Sequence, residues 1–194
     1  VKKTELRFAL SKIFIGLFFC VLNPPAFANP VGGKVSAGQV SINGSVNKLD
    51  IIQHSDKAII DWRGFDIAKG EQTEIHQSGN NSIILNRVNS KSSSQIDGKL
   101  TANGKVLIIN QNGILFGKNA QVDVNSLIAS TADVDNAKFM QAGKLKLDKA
   151  GNPQAAIINQ GQITAQEAGL IGFVAPNVLN SGIISAKLGK VHLA

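Results

Sequence analysis

Cysteine is nearly absent: Cys20 stands alone in 194 residues. The part of the chain that follows the first 28 residues therefore has no disulfide and no thiol chemistry. Tyrosine is missing, tryptophan occurs once as Trp62, and aromatic residues make up 5% of the sequence. No charge run reaches five or six residues of one sign. The basic excess is scattered singly, which argues against a nucleic-acid-binding stripe. No apolar run approaches 18 residues, so no integral membrane segment is expected in the mature chain. Glycine, by contrast, is abundant (19 residues), and Asn, Ser and Gln are frequent. That balance reads as an elongated β protein rather than a helical or disulfide-stapled one.

The first 28 residues have a separate logic. Lys2, Lys3, Arg7 and Lys12 give a basic start, Ile13 to Leu22 form a short apolar run, and Asn23-Pro24-Pro25 breaks it. Ala26-Phe27-Ala28 then supplies a small-residue cleavage site. This is the layout of a secretory signal peptide read by the Sec machinery, too short in its apolar part to span a bilayer. Cleavage between Ala28 and Asn29 leaves residues 29–194, enough for one domain. It lowers the formal charge from +7 to +4, because four Lys and Arg and one Glu leave with the peptide.

The mature chain is organised around Val106-Leu107-Ile108-Ile109-Asn110-Gln111-Asn112-Gly113-Ile114-Leu115-Phe116-Gly117. Two apolar, β-branched runs meet at an Asn- and Gly-rich corner without helical period or charge, as buried strands do. Asn and Gly tolerate positive φ, and Asn amides can bond the local backbone. Gly98-Lys99-Leu100-Thr101-Ala102, Gly161-Gln162-Ile163-Thr164-Ala165 and Gly182-Ile183-Ile184-Ser185-Ala186 share one pattern. The last two lie 21 residues apart and the first two 63, three times that period. Upstream of them, Ile157 to Gln160 aligns with Val178 to Ser181. A fixed period of strand words with Gly corners indicates a solenoid. The leucine ladder of leucine-rich repeats is missing, so a parallel β-helix of about 21 residues per turn fits best, with roughly eight turns. Asn159 and Asn180, one period apart, are expected to form an amide ladder. Gly161 and Gly182 should occupy equivalent corners, with Ile163 stacked on Ile184.

Several local expectations follow. Residues 29–44 read as short strands and turns capping one end, and Phe65 to Ile67 as an alternating strand. Gly143 to Asp148 alternates strictly before a Lys149-to-Pro153 turn, which reads as a β-hairpin outside the helix carrying Leu145 and Leu147. Residues 132–141 read as a short helical or irregular bridge with Phe139 and Met140 tucked in. Trp62 with Phe65 is expected to plug one end of the core.

Catalytic and metal chemistry find little support. His54, His76 and His192 show no ligand spacing, and no cofactor is expected. Asp61, Asp66, Glu71 and Glu74 read as solvated faces, Asp123, Asp133 and Asp135 match no calcium loop, and no serine sits in a nucleophile elbow. A pectin-lyase-type enzyme would need charged residues stacked on neighbouring turns, which the aligned repeats do not supply. The Asn110 to Gly113 corner keeps two compatible readings, a structural corner and a recognition element.

Several motifs together resemble one known family: Trp62-Arg63-Gly64-Phe65-Asp66-Ile67, Leu85-Asn86-Arg87-Val88, Ala102-Asn103-Gly104-Lys105-Val106, Asn110-Gln111-Asn112-Gly113-Ile114 and Leu127-Ile128-Ala129-Ser130-Thr131. With the signal peptide, this set resembles the amino-terminal secretion domain of two-partner secretion exoproteins, the filamentous haemagglutinin-like adhesins, haemolysins and haem scavengers. The family's Asn-Pro-Asn-Gly-Ile carries Gln111 in place of Pro here, and its less general Asn-Pro-Asn-Leu motif is missing. The resemblance implies a right-handed parallel β-helix, non-enzymatic and monomeric. It implies that the domain addresses a longer exoprotein to the POTRA domains and β-barrel of an outer-membrane transporter in a Gram-negative bacterium. The product is then secreted or held on the cell surface. A direct adhesin or carbohydrate-binding β-helix is the alternative. Gly182 opens a turn that runs only to Ala194 with no capping segment, so the chain is expected to be the beginning of a longer exoprotein.

Overall fold

The computed structural model describes residues 29–141 and 143–194; the expected signal peptide and Ala28 lie outside the described residues. Asn29 opens the described chain, half-buried, with its Oδ1 accepting from the Thr73 hydroxyl at 3.4 Å. The strands are, in order, β1 (Lys34–Ala37), β2 (Val40–Gly44), β3 (Lys48–Gln53), β4 (Lys57–Trp62), β5 (Gln72–Gln77), β6 (Ile83–Val88), β7 (Ser94–Ile96) and β8 (Lys99–Asn110). After them come β9 (Ile114–Phe116), β10 (Gln121–Ser130), one short helix α1 (Asn136–Met140), β11 (Ala156–Asn159), β12 (Gln162–Ala165), β13 (Leu170–Val174), β14 (Asn177–Asn180), β15 (Ile183–Ala186) and β16 (Lys190–Leu193).

These strands wind into a right-handed parallel β-helix with three faces. The first face stacks β3, β5, the start of β8, the start of β10, β12 and β15 in parallel register. The second stacks β4, β6, the end of β8, the end of β10, β13 and β16. The third stacks β7, β9, β11 and β14. The expected period holds in the last turns: Ile163 pairs with Ile184, and Ile157 with Val178. Gly161 and Gly182 occupy successive corners, where a Cβ on Gly182 would stand 2.2 Å from the Gly161 carbonyl oxygen. A side chain cannot fit there, which explains the glycine at the start of each repeat.

The helix has about seven turns with a repeat near 22 residues, rather than eight of 21. Longer early turns and one large insertion use up the difference: Leu49 pairs with Thr73 and Thr73 with Leu100, whereas Val122 pairs with Ile163 across the insertion. The core runs along the axis. Ile51, Ile60, Ile84, Ile108, Phe116, Ile157, Ile171 and Phe173 are fully buried, and the rings of Phe116 and Phe173 stack 5.7 Å apart at 9°.

The amino-terminal end is closed. β1 runs antiparallel to β4, and β2 antiparallel to β3, so the first turn's free edges are covered by chain running the other way. Trp62, 2% exposed, packs edge-on against Phe65 at 5.7 Å and donates its Nε1 to Asn86 Oδ1 at 3.0 Å, forming the expected plug.

Two local expectations are corrected. Phe65 to Ile67 makes no strand of its own; Gly64 and Ile67 form only isolated bridges, to Val31 and Ile96. Residues 143–148 form no hairpin either: a single bridge joins Asp133 to Lys149. Alternation alone cannot make a strand when no partner strand lies beside it, and Leu145 stays exposed while Leu147 packs against the Ile59, Leu85 and Leu107 cluster. The hairpin actually present is β2–β3 in the cap. α1 matches the expected bridge: Asp135 caps it by accepting from the Ala137 and Lys138 amides, and Phe139 is buried. No helix among the described residues is long and apolar enough to cross a membrane.

Candidate functional site

β8 ends inside the core, and the chain must leave the second face and enter the third within three residues. Asn110 makes the bend. Its side chain is fully buried; Nδ2 donates to the Ser92 carbonyl at 3.1 Å and to Ser94 Oγ at 3.0 Å, while Oδ1 accepts from the Asn112 amide at 2.9 Å. Asn112 Nδ2 donates to the Ser90 carbonyl at 2.8 Å, so both amides reach down to the preceding turn. Gly113 adopts φ +108°, and a Cβ there would lie 2.7 Å from the Ala156 carbonyl oxygen. Its amide returns to the Asn110 carbonyl at 3.0 Å, and buried Ile114 starts β9. Above the corner, the Gln111 carbonyl accepts from the Asn152 amide at 3.0 Å and Gln111 Nε2 reaches the Ala150 carbonyl at 3.4 Å. Asn110 to Ile114 is thus clamped between the 90–94 loop and the 150–156 return limb. Asn110, Gly113 and Ile114 are buried and Asn112 is half-buried, so Gln111 is the exposed side chain of the five.

The other motif residues are dispersed around the solenoid rather than gathered at this corner. Asn159 Nδ2 donates to Asn180 Oδ1 at 2.8 Å, one rung of the expected ladder, and Asn159 Oδ1 accepts from the Gly161 amide at 3.1 Å. Asn86, fully buried, links Trp62 to the Leu107 carbonyl. Arg87 points outward and forks: Nε lies 2.9 and 3.0 Å from the two Asp133 oxygens, Nη1 lies 3.1 Å from Asp61 Oδ1, and Nη2 donates to the Val134 carbonyl at 2.9 Å. Asp61 also accepts from Ser36 in the cap. One arginine therefore ties the cap, the second face and the 131–155 insertion together.

Sequence reasoning missed three arrangements. Gln53 and Gln77 form a second amide ladder, joined at 2.8 Å, and Asn103 continues it by exchanging two bonds with the Gln77 backbone. No repeated word marks them, because the early turns have unequal lengths. The carboxylates read as solvated faces are engaged: Glu71 is buried and accepts from the Ala68 amide at 2.9 Å, Asp61 meets Arg87, and Asp66 accepts from the Gln95 amide at 2.6 Å. Glu74, finally, stands beside Asp50 and His76 on the outer side of the first face, so charged groups do stack on neighbouring turns there. Asp123 lies on β10, apart from the Asp133 and Asp135 region, and those three form no metal group among the described residues.

A trough of about 810 Å³ runs along the glycine corners between the third and first faces. Its walls carry Lys69, Lys99 and Lys118 beside Gln121 and Gln162, and its one half-buried carboxylate, Asp97, is taken up by the Asn119 amide and side chain.

Comparison with known proteins gives this geometry a context. A family model described as the TPS secretion domain matches residues 26–194. A heme/hemopexin-binding protein of Haemophilus influenzae (strain ATCC 51907 / DSM 11121 / KW20 / Rd) is 36% identical over 176 residues, which cover 85% of this chain and 19% of that protein. Another heme/hemopexin-binding protein of Haemophilus influenzae is 40% identical over 107 residues, covering 55% of this chain and 12% of its own length. The chain thus spans a fifth or less of these curated relatives. Among solved structures, the crystal structure of the HMW1 secretion domain from Haemophilus influenzae superposes with a TM-score of 0.73 at 37% identity, covering 84% of this chain and 44% of that one. Fold, motif set and family model agree: the chain belongs to the TPS secretion domain family, the secretion domains of two-partner exoproteins.

Proposed function

We propose that this domain directs a larger exoprotein to a cognate outer-membrane transporter, is recognised by the transporter's periplasmic POTRA domains while still extended, and then nucleates folding outside the cell. Residues 1–28 act as the Sec signal peptide, cleaved between Ala28 and Asn29, and the folded domain works as a monomer. The observation that carries the recognition step is the burial of the corner. Asn110, Gly113 and Ile114 are inaccessible once folded, and the return limb covers the corner from above. A partner that reads Asn110 to Ile114 must meet it before the turns close. Edge pairing of an extended segment with a sheet is the recognition mode such a stretch suits.

Nucleation is supported by the closed amino-terminal turn. In a solenoid each turn contacts only its neighbours, so folding proceeds by adding turns to a formed edge. The antiparallel strands of the cap complete the first turn without help from a preceding one. The heme/hemopexin-binding relatives, several times longer than the matched region, support the reading that this domain heads a longer exoprotein.

The test is export in a strain carrying or lacking the cognate β-barrel transporter. Processed chain should reach the medium only when the transporter is present and should accumulate in the periplasm otherwise. Equal export in both strains would overturn the proposal.

A further inference from the structure

We propose that Asp50, Glu74 and His76 form a binding site for a divalent transition-metal ion of the zinc type on the outer side of the first turn. The site is independent of the transporter reading. β3 and β5 are parallel neighbours with Asp50 opposite Glu74 and Ile52 opposite His76. Asp50, Glu74 and His76 point outward along the two strands, so one turn of the solenoid brings Asp50 beside two residues 24 and 26 positions further along the sequence. His76 Nε2 lies 3.3 Å from Glu74 Oε2 and 3.6 Å from Asp50 Oδ1, and all three donor atoms fall within 4.8 Å of one another.

The two separations from His76 Nε2 match those around a tetrahedral ion. With zinc–nitrogen and zinc–oxygen distances near 2.1 Å, neighbouring ligands stand about 3.4 Å apart. Two carboxylates alone would describe an ordinary acidic patch; the imidazole at the right distance from both makes a ligand set. It also sets the class of ion, since calcium and magnesium favour all-oxygen sites whereas imidazole suits zinc and its neighbours. Gln72 Nε2 donates to Glu74 Oε1, orienting the carboxylate and leaving Oε2 for the ion, the usual work of an outer-shell partner.

The carboxylates already converge on a cation. Lys48 Nζ lies 2.8 Å from Glu74 Oε2 and 3.0 Å from Asp50 Oδ1. Yet the Lys48 side chain is 43% exposed on a flexible stem, and such surface pairs contribute little. A divalent ion would displace the ammonium into water, take the three ligands and complete its shell with a water molecule. The bound ion would staple β3 to β5, next to the cap.

Zinc titration of the purified chain by calorimetry, with cobalt absorption as a report of tetrahedral geometry, tests this. One ion should bind per chain and raise the melting temperature. His76→Ala should weaken binding beyond the ~10–100-fold typical of losing an outer-shell partner. Lys48→Met should tighten it by removing the competing ammonium. His54→Ala and His192→Ala should bind as the parent does. His76 is 58% exposed, so its variant is expected to fold, which far-UV circular dichroism verifies. Absence of saturable binding, unchanged affinity in His76→Ala, or weaker binding in Lys48→Met would overturn the proposal.

Discussion

The stacked turns from Ile157 to Ala186 and the 131–155 insertion are neighbours in the same molecule but are held by different forces. In the turns, each residue repeats the environment of the one below it: Ile163 lies on Ile184, Asn159 on Asn180, and backbone ladders run through every face. Stability there is distributed over apolar stacking and main-chain bonds. Among its described residues the insertion has a single one-turn helix, one bridge and a few apolar anchors, and it depends on individual side-chain clips, some of them reaching in from the stacked turns. Arg87 holds Asp133 and the Val134 carbonyl, Lys57 Nζ donates to the Phe139 and Gln141 carbonyls, and Lys138 pairs with Asp148. A repeat tolerates local damage that a clip does not.

Phe173→Ala strikes the distributed part. Removing a fully buried ring stacked on Phe116 should cost about 3–5 kcal/mol, read as a lower denaturation midpoint for the whole unit. Arg87→Ala strikes the clip. Its side chain is 13% exposed and its removal leaves Asp133, 15% exposed, without its main partner, at a cost on the order of 3 kcal/mol. Protease cleavage between residues 143 and 154 should appear while the β-sheet circular dichroism signal persists. Loss of that signal together with cleavage would mean that the insertion and the turns unfold as one.

The contrast also explains what could be read from the sequence. The late turns were legible because Gly161 and Gly182 must both lack side chains where backbones touch, so the spacing survives in the residues themselves. The Asn corner was legible because bending β8 into β9 needs a buried amide and a positive φ. The Arg87 fork was not, since it spans 46 residues and obeys no period. Nor was the Asp50, Glu74 and His76 group, created by pairing across an early turn of irregular length. Residues 143–148 misled because their alternation resembles a strand and nothing in the sequence tells that no partner lies alongside.

Gly151→Ala sharpens the comparison at the junction of the two regions. A Cβ there would sit 2.1 Å from the Thr131 carbonyl oxygen and 3.1 Å from that of Gln111, both backbone atoms. The return limb must shift off the corner, at about 1–3 kcal/mol, and amide exchange should accelerate at Asn152 before it does in β11.

Acid gives the smallest effect. The Lys138 amide holds the Asp135 carboxyl below its usual 3.8, and the Lys138 side chain does the same for Asp148. Both groups favour the folded form when ionised, so their contribution is complete above that value and disappears as pH falls through the lowered folded values. Lys138, whose pKa is raised by Asp148, contributes below 10.5 and loses its contribution above it. All three are exposed, so the change should be slight and screened by salt. Limited proteolysis at low ionic strength should show residues 143–149 loosening at the acid end first.

The most direct test of the corner's role compares export with stability. Asn112→Ala removes one amide bond to Ser90, costing about 1–3 kcal/mol, less than Phe173→Ala. If the transporter reads Asn110 to Ile114 in the extended chain, Asn112→Ala should block release into the medium more severely than the less stable Phe173→Ala, with the signal peptide still removed from both. Export that simply follows stability, with Phe173→Ala the poorer of the two, would contradict recognition through this corner.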